Sequence, residues 1–132
     1  MQGHNMLNLD RFTEMLNANS DFAQSGKFFD GSIQLNIGQE TFWIKAFMGS
    51  AIYITHEPPP FGFTFAVKGS VEDWRFAIAG SKNRFREALI THRLCVEGNQ
   101  IEFTRVGKAV HGLSDVLMQM VREGSMTFEE RS

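Results

Sequence analysis

The sequence predicts an α+β domain in which a five-stranded, mostly antiparallel sheet is covered on one face by helices. Three observations lead to this fold class. Apolar and polar residues alternate in several short segments between residues 30 and 98, as in half-buried strands. Apolar residues at helical spacing precede these segments, interrupt them once and follow them. Glycine-containing turns separate the first strands, so neighbours in the chain are expected to pair antiparallel.

The first half of the chain predicts one helix followed by strands. Leu9, Phe12 and Leu16 recur at helical spacing, and Ser20 can begin a short turn of helix that Gly26 ends. The segments DGSIQLNIG, TFWIKAFM and AIYITH then alternate with a period of two. Together with the strand that follows the three prolines, they predict a four-stranded antiparallel meander.

The second half returns to helices. Ser70 and Asp73 have the spacing of a capping box, which predicts a helix that ends at Gly80. A further helix is expected from about residue 82, and RLCVEG predicts the fifth strand. A continuous apolar stripe through residue 121 predicts a long last helix, which begins either at Gln100 or near Gly107.

Composition excludes several classes of protein. The formal charge of −2 gives no general attraction to nucleic acid, and one cysteine excludes an internal disulfide framework. No apolar run is long enough to predict a transmembrane helix, and the first residues do not resemble a secretory signal. We therefore expect a single cytoplasmic domain over residues 1–132.

The segment THEPPPFGFTFAVK places large apolar side chains on one face of a strand. Phe61, Phe63, Phe65 and Val67 occupy every second position, with small residues between them. Plain packing against the helices explains this pattern, and so does an apolar cavity. Large rings and methionines on the covering helices favour the cavity. The predicted ligand-binding residues are Phe63, Phe65, Trp74, Phe85, Leu117 and Met120.

The other face of the second strand carries two rings. Lys45 indicates that Trp43 and Phe47, on the same face, point away from the helices, with Gly62, Thr64 and Ala66 predicted to form a bed of small residues beside them. Exposed rings on a sheet suggest an interface, so we predict a weak homodimer through Trp43 and Phe47. Transient membrane contact is a rival use of this patch, and burial under the N-terminal segment or under TFEERS is the alternative.

Neither catalysis nor a metal or cofactor site is predicted. His92 and Cys95 are three residues apart, so in a strand their side chains point to opposite faces. His111 and Asp115 face the same way on a helix, but two ligands are too few for a structural zinc site. No phosphate-binding glycine loop or nucleophile elbow occurs.

One segment, KNRFREALITHR, has an excess of positive charge. Lys82, Arg84, Arg86 and Arg93 are opposed there by Glu87. A solvated helix face accounts for this excess. The positive charge could also bind an anionic headgroup, phosphates or an acidic membrane near the mouth of a cavity.

The ordered segments DGSIQLNIG, TFWIKAF, GFTFAVKGSVEDWRFAIAG and ALITHRLCVEGN, with the last amphipathic helix, resemble the sterol carrier protein type 2 family. The most specific parts of this resemblance are the pair Glu72 and Trp74 and the end of the fifth strand at residues 96–99. The resemblance implies an apolar tunnel for sterols, fatty acids, fatty acyl-CoA or phospholipids and no catalysis. Where the family often has a glycine, this chain has His92 before Arg93, which puts that turn in question. The alternative function is a protein-interaction or dimerisation module with a filled interior.

Overall fold

A computed structural model describes residues 7–60 and 62–128 as five strands and six helices. The strands are β1 (Asp30–Ile37), β2 (Glu40–Phe47), β3 (Ser50–Thr55), β4 (Phe65–Gly69) and β5 (Cys95–Gly98). The helices are α1 (Leu9–Asn17), α2 (Ser20–Ser25), α3 (Val71–Ile78), α4 (Phe85–Ile90), α5 (Gln100–Arg105) and α6 (Gly107–Glu123). The predicted order of elements is confirmed, the predicted short turn of helix at Ser20 is α2, and α5 is a separate short helix before the last one.

Side chains of the sequence fix where the first helices begin. The Asn8 side chain accepts a hydrogen bond from the Arg11 N–H at the start of α1, and Asn19 accepts one from the Phe22 N–H at the start of α2. Both caps satisfy backbone donors that have no partner inside the helix. Gly26 ends α2, as the sequence predicts.

The sheet is mixed, with the strand order β3-β2-β1-β4-β5. Strands β1, β2 and β3 form an antiparallel meander, and β4 pairs with β5 antiparallel. The predicted meander of four strands is wrong, however, because β4 lies beside β1 and runs parallel to it. Prolines 58–60 interrupt the chain after β3, so no tight turn joins β3 to β4, and β4 starts at the end of the sheet where β1 begins.

One face of the sheet packs against the helices and forms the core. Ile33, Leu35 and Ile37 of β1, with Phe42 and Ile44 of β2, are almost completely buried there. Lys45 points to the other face and pairs with Asp30, Nζ to Oδ1 3.1 Å. The predicted inner and outer faces of β2 are therefore confirmed.

The predicted neighbourhood of Trp43 is wrong. Because β1 lies between β2 and β4, the residue beside Trp43 is Gln34, and Ala66 is the next residue beyond it. The small residues of β4 thus form no bed next to the ring. Trp43 itself is half-buried, with Thr55 of β3 on its other side.

Helix α3 begins at the capping box that the sequence predicts. The Ser70 hydroxyl accepts from the Asp73 N–H, and the Asp73 carboxylate accepts from the Ser70 N–H. From this helix the buried Trp74 donates its ring N–H to the carbonyl oxygen of Asn36, at 2.8 Å. That hydrogen bond fixes α3 against β1.

A helix begins at each of the two predicted starts, α5 at Gln100 and α6 at Gly107. Asn99 caps the short helix α5 by accepting from the Glu102 N–H. At Val106 the backbone leaves helical geometry (φ −107°, ψ 30°), and α6 then begins at Gly107. Helices α5 and α6 are therefore separate, and residues of both line a groove.

Candidate functional site

The groove lies where α4, α5 and the first turns of α6 meet, next to the start of α2. Its volume is about 420 Å³, within the usual range for sites that bind small molecules. The lining residues are Asp21, Phe85, Arg86, Leu89, Phe103, Gly107, Lys108, Val110 and His111. Apolar side chains form the floor, and charged or polar ones form the rim.

Two rings connect the floor of the groove with the core. Phe103 packs edge-on against Phe65 of β4, with ring centroids 5.3 Å apart, and Phe65 in turn contacts Phe29 at 5.7 Å. On the other side, Phe85 contacts Trp74 at 6.1 Å. An apolar molecule in the groove would therefore lie against rings that are continuous with the interior.

The six predicted ligand-binding residues do not all meet at one place. Phe85 lines the groove, while Phe65 and Trp74 lie directly behind its floor. Leu117 and Met120 are completely buried on α6.

Phe63 is separate from this set. It borders a depression of about 430 Å³ on the outer face of the sheet, with residues including Lys45, Tyr53 and Pro59. Phe61, from the same predicted strand, lies outside the described residues.

Positive charge dominates the rim. Arg86 and Lys108 are exposed there, beside the imidazole of His111, against the single carboxylate of Asp21. Among residues 7–60 and 62–128, neither Arg86 nor Lys108 forms an ion pair. Their charges are therefore available to an anionic group at the mouth of the groove.

Only one of the four cationic residues in KNRFREALITHR reaches the groove. Arg84 pairs with Glu87, and Arg93 pairs with Asp73. Both guanidinium groups also lie 4.1 Å from the centroid of the Phe76 ring. The Arg84 interaction lowers the pKa of Glu87 from its usual value. Arg86 alone of these residues lines the groove, so most of the charged segment stabilises the α3–α4 region.

The residue pairs considered for catalysis and metal binding have ordinary contacts. The Cys95 thiol lies 3.8 Å from the carbonyl oxygen of His92. His111 Nε2 is 3.9 Å from Asp115 Oδ2, one helical turn apart. Over residues 7–60 and 62–128 no group of three or more potential metal ligands occurs.

Sequence reasoning missed most of the residues that line the groove. The pattern around Phe103 fits both a strand and a helix, so the sequence does not determine the direction in which this ring points. Val110 belongs to the predicted apolar stripe of the last helix, and that stripe is the sequence pattern that could have identified it as a lining residue. Lys108 has no signal in the sequence, because its position depends on the break at Val106.

Comparison with solved structures identifies the architecture. A crystal structure of sterol carrier protein 2 superposes with a TM-score of 0.68, at 13% identity, over 83% of this chain and 92% of that protein. The fold is that of sterol carrier protein 2. This confirms the fold that the sequence resemblance implies.

Two further structures agree with the sterol carrier protein 2-like fold. A conserved hypothetical protein of Thermus thermophilus, described as possibly a sterol carrier protein, gives a TM-score of 0.66 at 13% identity, over 90% of this chain and 92% of that one. The apo form of sterol carrier protein 2 from Yarrowia lipolytica gives 0.53 at 19% identity, over 81% and 86%. No protein-family model and no curated protein matches the sequence.

Proposed function

We propose that this chain binds a lipid-like amphiphile without chemically changing it, and that the ligand enters at the groove between α4, α5 and α6. The observation that carries the proposal is the groove itself, with an apolar floor and a cationic rim on a sterol carrier protein 2-like fold. An acyl chain would lie against Phe85 and Phe103, and an anionic head would meet Arg86 and Lys108.

The energetics favour a long apolar chain. Each methylene that leaves water contributes about 0.8 kcal/mol, so about ten buried methylenes offer on the order of 8 kcal/mol, before the cost of ordering the chain. A chain longer than the groove would have to extend into the interior. We propose that its far end displaces the packing of Phe65 and Trp74 and reaches the predicted interior residues Leu117 and Met120.

Displacement of a fluorescent fatty acid tests this proposal. Leu89→Trp fills the groove from its half-buried wall and should weaken binding at least tenfold. The matched control is Ile90→Trp, because Ile90 is the next residue on α4 and is exposed outside the groove. Equal binding by both variants, or no binding by the parent chain, contradicts the proposal.

The charged rim has a test of its own. Arg86→Glu should weaken a fatty acid more than its methyl ester, because only the acid carries a carboxylate. Lys82→Glu makes the same charge change outside the groove and should leave both affinities unchanged. Equal losses of affinity for the acid and the ester would show that the rim does not bind the carboxylate.

One observation favours a second function, an interaction module with a filled interior. Phe65, Trp74, Leu117 and Met120 have no exposed surface in this conformation. Native mass spectrometry of the purified protein separates the two functions. A clean unliganded mass, together with no displacement of fatty acid, would favour the interaction module.

Cellular location and assembly belong to the same proposal. Within the described residues, no helix is long and apolar enough to cross a membrane. A cytoplasmic carrier and a weak homodimer through Trp43 and Phe47 remain predictions.

A further inference from the structure

The depression on the outer face of the sheet is a second concave site, separate from the groove. Its volume of about 430 Å³ is within the usual range for sites that bind small molecules. Strands β1, β2 and β3 contribute its floor, and residues 59–60 and 62–64 of the connection to β4 contribute its wall. It shares no lining residue with the groove, and it is called the outer depression below.

The floor of the outer depression is a row of polar side chains across three strands. Ser32 of β1 is directly opposite Lys45 of β2, and Lys45 is directly opposite Tyr53 of β3. Residues paired in this way carry their side chains on the same face of the sheet. Because neighbouring strands lie about 4.8 Å apart, the row is about 10 Å long.

An ion pair gives this floor both donors and acceptors. Lys45 Nζ donates to Asp30 Oδ1 at 3.1 Å, so two N–H groups of the ammonium and the second carboxylate oxygen remain for a ligand. Within residues 7–60 and 62–128, the hydroxyls of Ser32 and Tyr53 take part in no hydrogen bond. Asp30 and Lys45 are the charged residues among those described that line the outer depression, so its net charge is zero.

The wall of the outer depression is held in place by backbone hydrogen bonds. The Gly62 N–H donates to the Pro59 carbonyl oxygen at 3.0 Å, and the rings of Pro59 and Pro60 fix their own φ angles. The Thr64 N–H donates to the Ser32 carbonyl oxygen at 2.7 Å, and the Thr64 hydroxyl accepts from the Ser32 N–H at 3.2 Å. The site is therefore formed before a ligand binds, which lowers the entropic cost of binding.

The charges of the floor discriminate between classes of ligand. An anion attracted by Lys45 would also meet the carboxylate of Asp30, and a cation attracted by Asp30 would meet the ammonium. An apolar ligand would bury both charges without hydrogen bonds, which is costly. A neutral ligand with neighbouring hydroxyls satisfies both groups, because each hydroxyl donates and accepts.

The remaining surface of the outer depression is suited to a ring with an apolar face. The Tyr53 side chain is 45% exposed, and the rings of Pro59 and Pro60 lie on the wall. Aromatic and proline rings pack against C–H groups, and a sugar ring has C–H groups on its faces and hydroxyls at its edge.

We propose that the outer depression binds a neutral saccharide of one or two rings. One sugar ring packs on Tyr53, and its neighbouring hydroxyls bind the free N–H groups of Lys45 and the free oxygen of Asp30. The row of about 10 Å has the length of a disaccharide. This site does not depend on the proposed lipid-binding function, because the groove lies on other elements.

Amide NMR titrations of the monomeric protein with maltose, cellobiose and lactose test the proposal. At least one of these sugars should shift signals that are concentrated at residues 30–32, 45 and 53. Tyr53→Ser should weaken binding at least tenfold. The matched control is Ile52→Ser, because Ile52 is the preceding residue of β3, is 53% exposed and does not line the outer depression, so this variant should bind as the parent does.

Three monosaccharides of different charge test the role of the ion pair. At mildly acidic pH, where the amine of glucosamine is protonated, the parent should bind glucose more tightly than glucuronate or glucosamine. Asp30→Asn should move the preference toward glucuronate at least fivefold, and Lys45→Met should move it toward glucosamine by a similar factor. A purely structural effect of either substitution would not change preference in opposite directions.

The proposal is overturned if no neutral sugar shifts the signals, or if the shifted signals lie away from the outer depression. Equal losses in Tyr53→Ser and Ile52→Ser, or a parent that binds the charged sugars as tightly as glucose, would also overturn it. Sedimentation distinguishes the remaining occupant: a parent dimer that covers these residues and is unaffected by every sugar would assign the surface to a second copy of the chain. Displacement of fatty acid should be unchanged in Tyr53→Ser, which separates this site from the groove.

Discussion

Arg11 and Glu123 form a two-point ion pair that joins the first helix to the last. Arg11 Nε lies 2.7 Å from Glu123 Oε2, and its Nη2 lies 3.0 Å from Oε1. The Ser125 hydroxyl donates to the same carboxylate at 2.6 Å. With hydrogen bonds from Arg11 first and Ser125 second, the pKa of Glu123 falls from its ordinary value of 4.5 to about 2.

The depressed pKa of Glu123 predicts how stability depends on pH. A carboxylate whose pKa is lower in the folded state stabilises the fold fully above its unfolded pKa. This contribution is then lost as pH falls from about 4.5 toward about 2. The melting temperature of Glu123→Gln should lie below that of the parent at pH 7, and the difference should shrink across this window.

Salt and a control variant sharpen the Glu123 measurement. Because the pair is exposed to solvent, added salt should reduce the difference at pH 7. Glu57→Gln removes a carboxylate that takes part in none of the ion pairs of the described residues, so its difference should not follow this pH window. A constant offset between Glu123→Gln and the parent at every pH would contradict the prediction.

The fold was predictable because local patterns and burial agree in most elements. Alternation in β1 and β2, the capping box at Ser70 and the stripe on α6 each depend on neighbours in the chain, and each predicted the observed element. The position of β4 beside β1 was not predictable in this way. Strand pairing across the sheet depends on contacts between distant residues, which no local pattern encodes.

The candidate site was less predictable for a related reason. Of the predicted ligand-binding residues, Phe85 lines the groove, and Phe65 and Trp74 lie behind it; large apolar residues on facing elements are visible as sequence patterns. The rim required the direction of α5, which is set by the backbone at Val106. The sequence offers Gly107 as one start of the last helix, but no local pattern gives the direction of α5 relative to α6, so Lys108 could not be assigned.

His92 predicts a stabilising substitution. It adopts φ +63° in the turn between α4 and β5, where the resembled family often has glycine. The left-handed region costs a residue with a Cβ about 1–2 kcal/mol, and glycine at this position would remove that strain. Part of the stability gained is offset by the greater conformational freedom of glycine in the unfolded chain. We expect His92→Gly to raise the free energy of unfolding by about 0.5–1 kcal/mol in urea titrations.

Thr91→Gly is the matched control for His92→Gly. Thr91 precedes His92, has φ −89°, and donates its hydroxyl to the Glu87 carbonyl oxygen at 2.8 Å. Glycine there removes this bond without relieving strain, so stability should fall. If the two substitutions change stability in the same direction, the strain at residue 92 is not the cause.

Trp43 allows the predicted self-association to be measured. The ring is half-buried beside Gln34, and the Lys45–Asp30 pair lies on the same face between Trp43 and Phe47. A patch interrupted by charge supports only weak association, so we expect a dimer that forms at high protein concentration. Sedimentation of Trp43→Ser should show less dimer than the parent.

Ile101→Ser is the reference for the Trp43 experiment. Ile101 is 79% exposed on α5, away from the outer face of the sheet, so its loss should leave any dimer unchanged. Two variants that both remain monomeric beside a monomeric parent, or that dimerise equally, would show that Trp43 is not part of an interface.

Asn17 closes part of the free edge of the sheet. Strand β3 is the first in the strand order, and the Asn17 side chain donates to the Ala51 carbonyl oxygen (3.1 Å) and accepts from the Ala51 N–H (2.7 Å). The amide thus occupies the backbone groups that another strand would use. Asn17→Ala should destabilise the fold by about 1–3 kcal/mol and should promote aggregation through β3.

Asn17→Asp keeps the acceptor for the Ala51 N–H but places a carboxylate against the Ala51 carbonyl oxygen, so this variant should also be less stable than the parent. Its negative charge should oppose aggregation. Urea unfolding measures the first effect and light scattering the second. An Asn17→Ala protein with the parent's unfolding midpoint and no added scattering would show that the edge is protected by the packing of α1 alone.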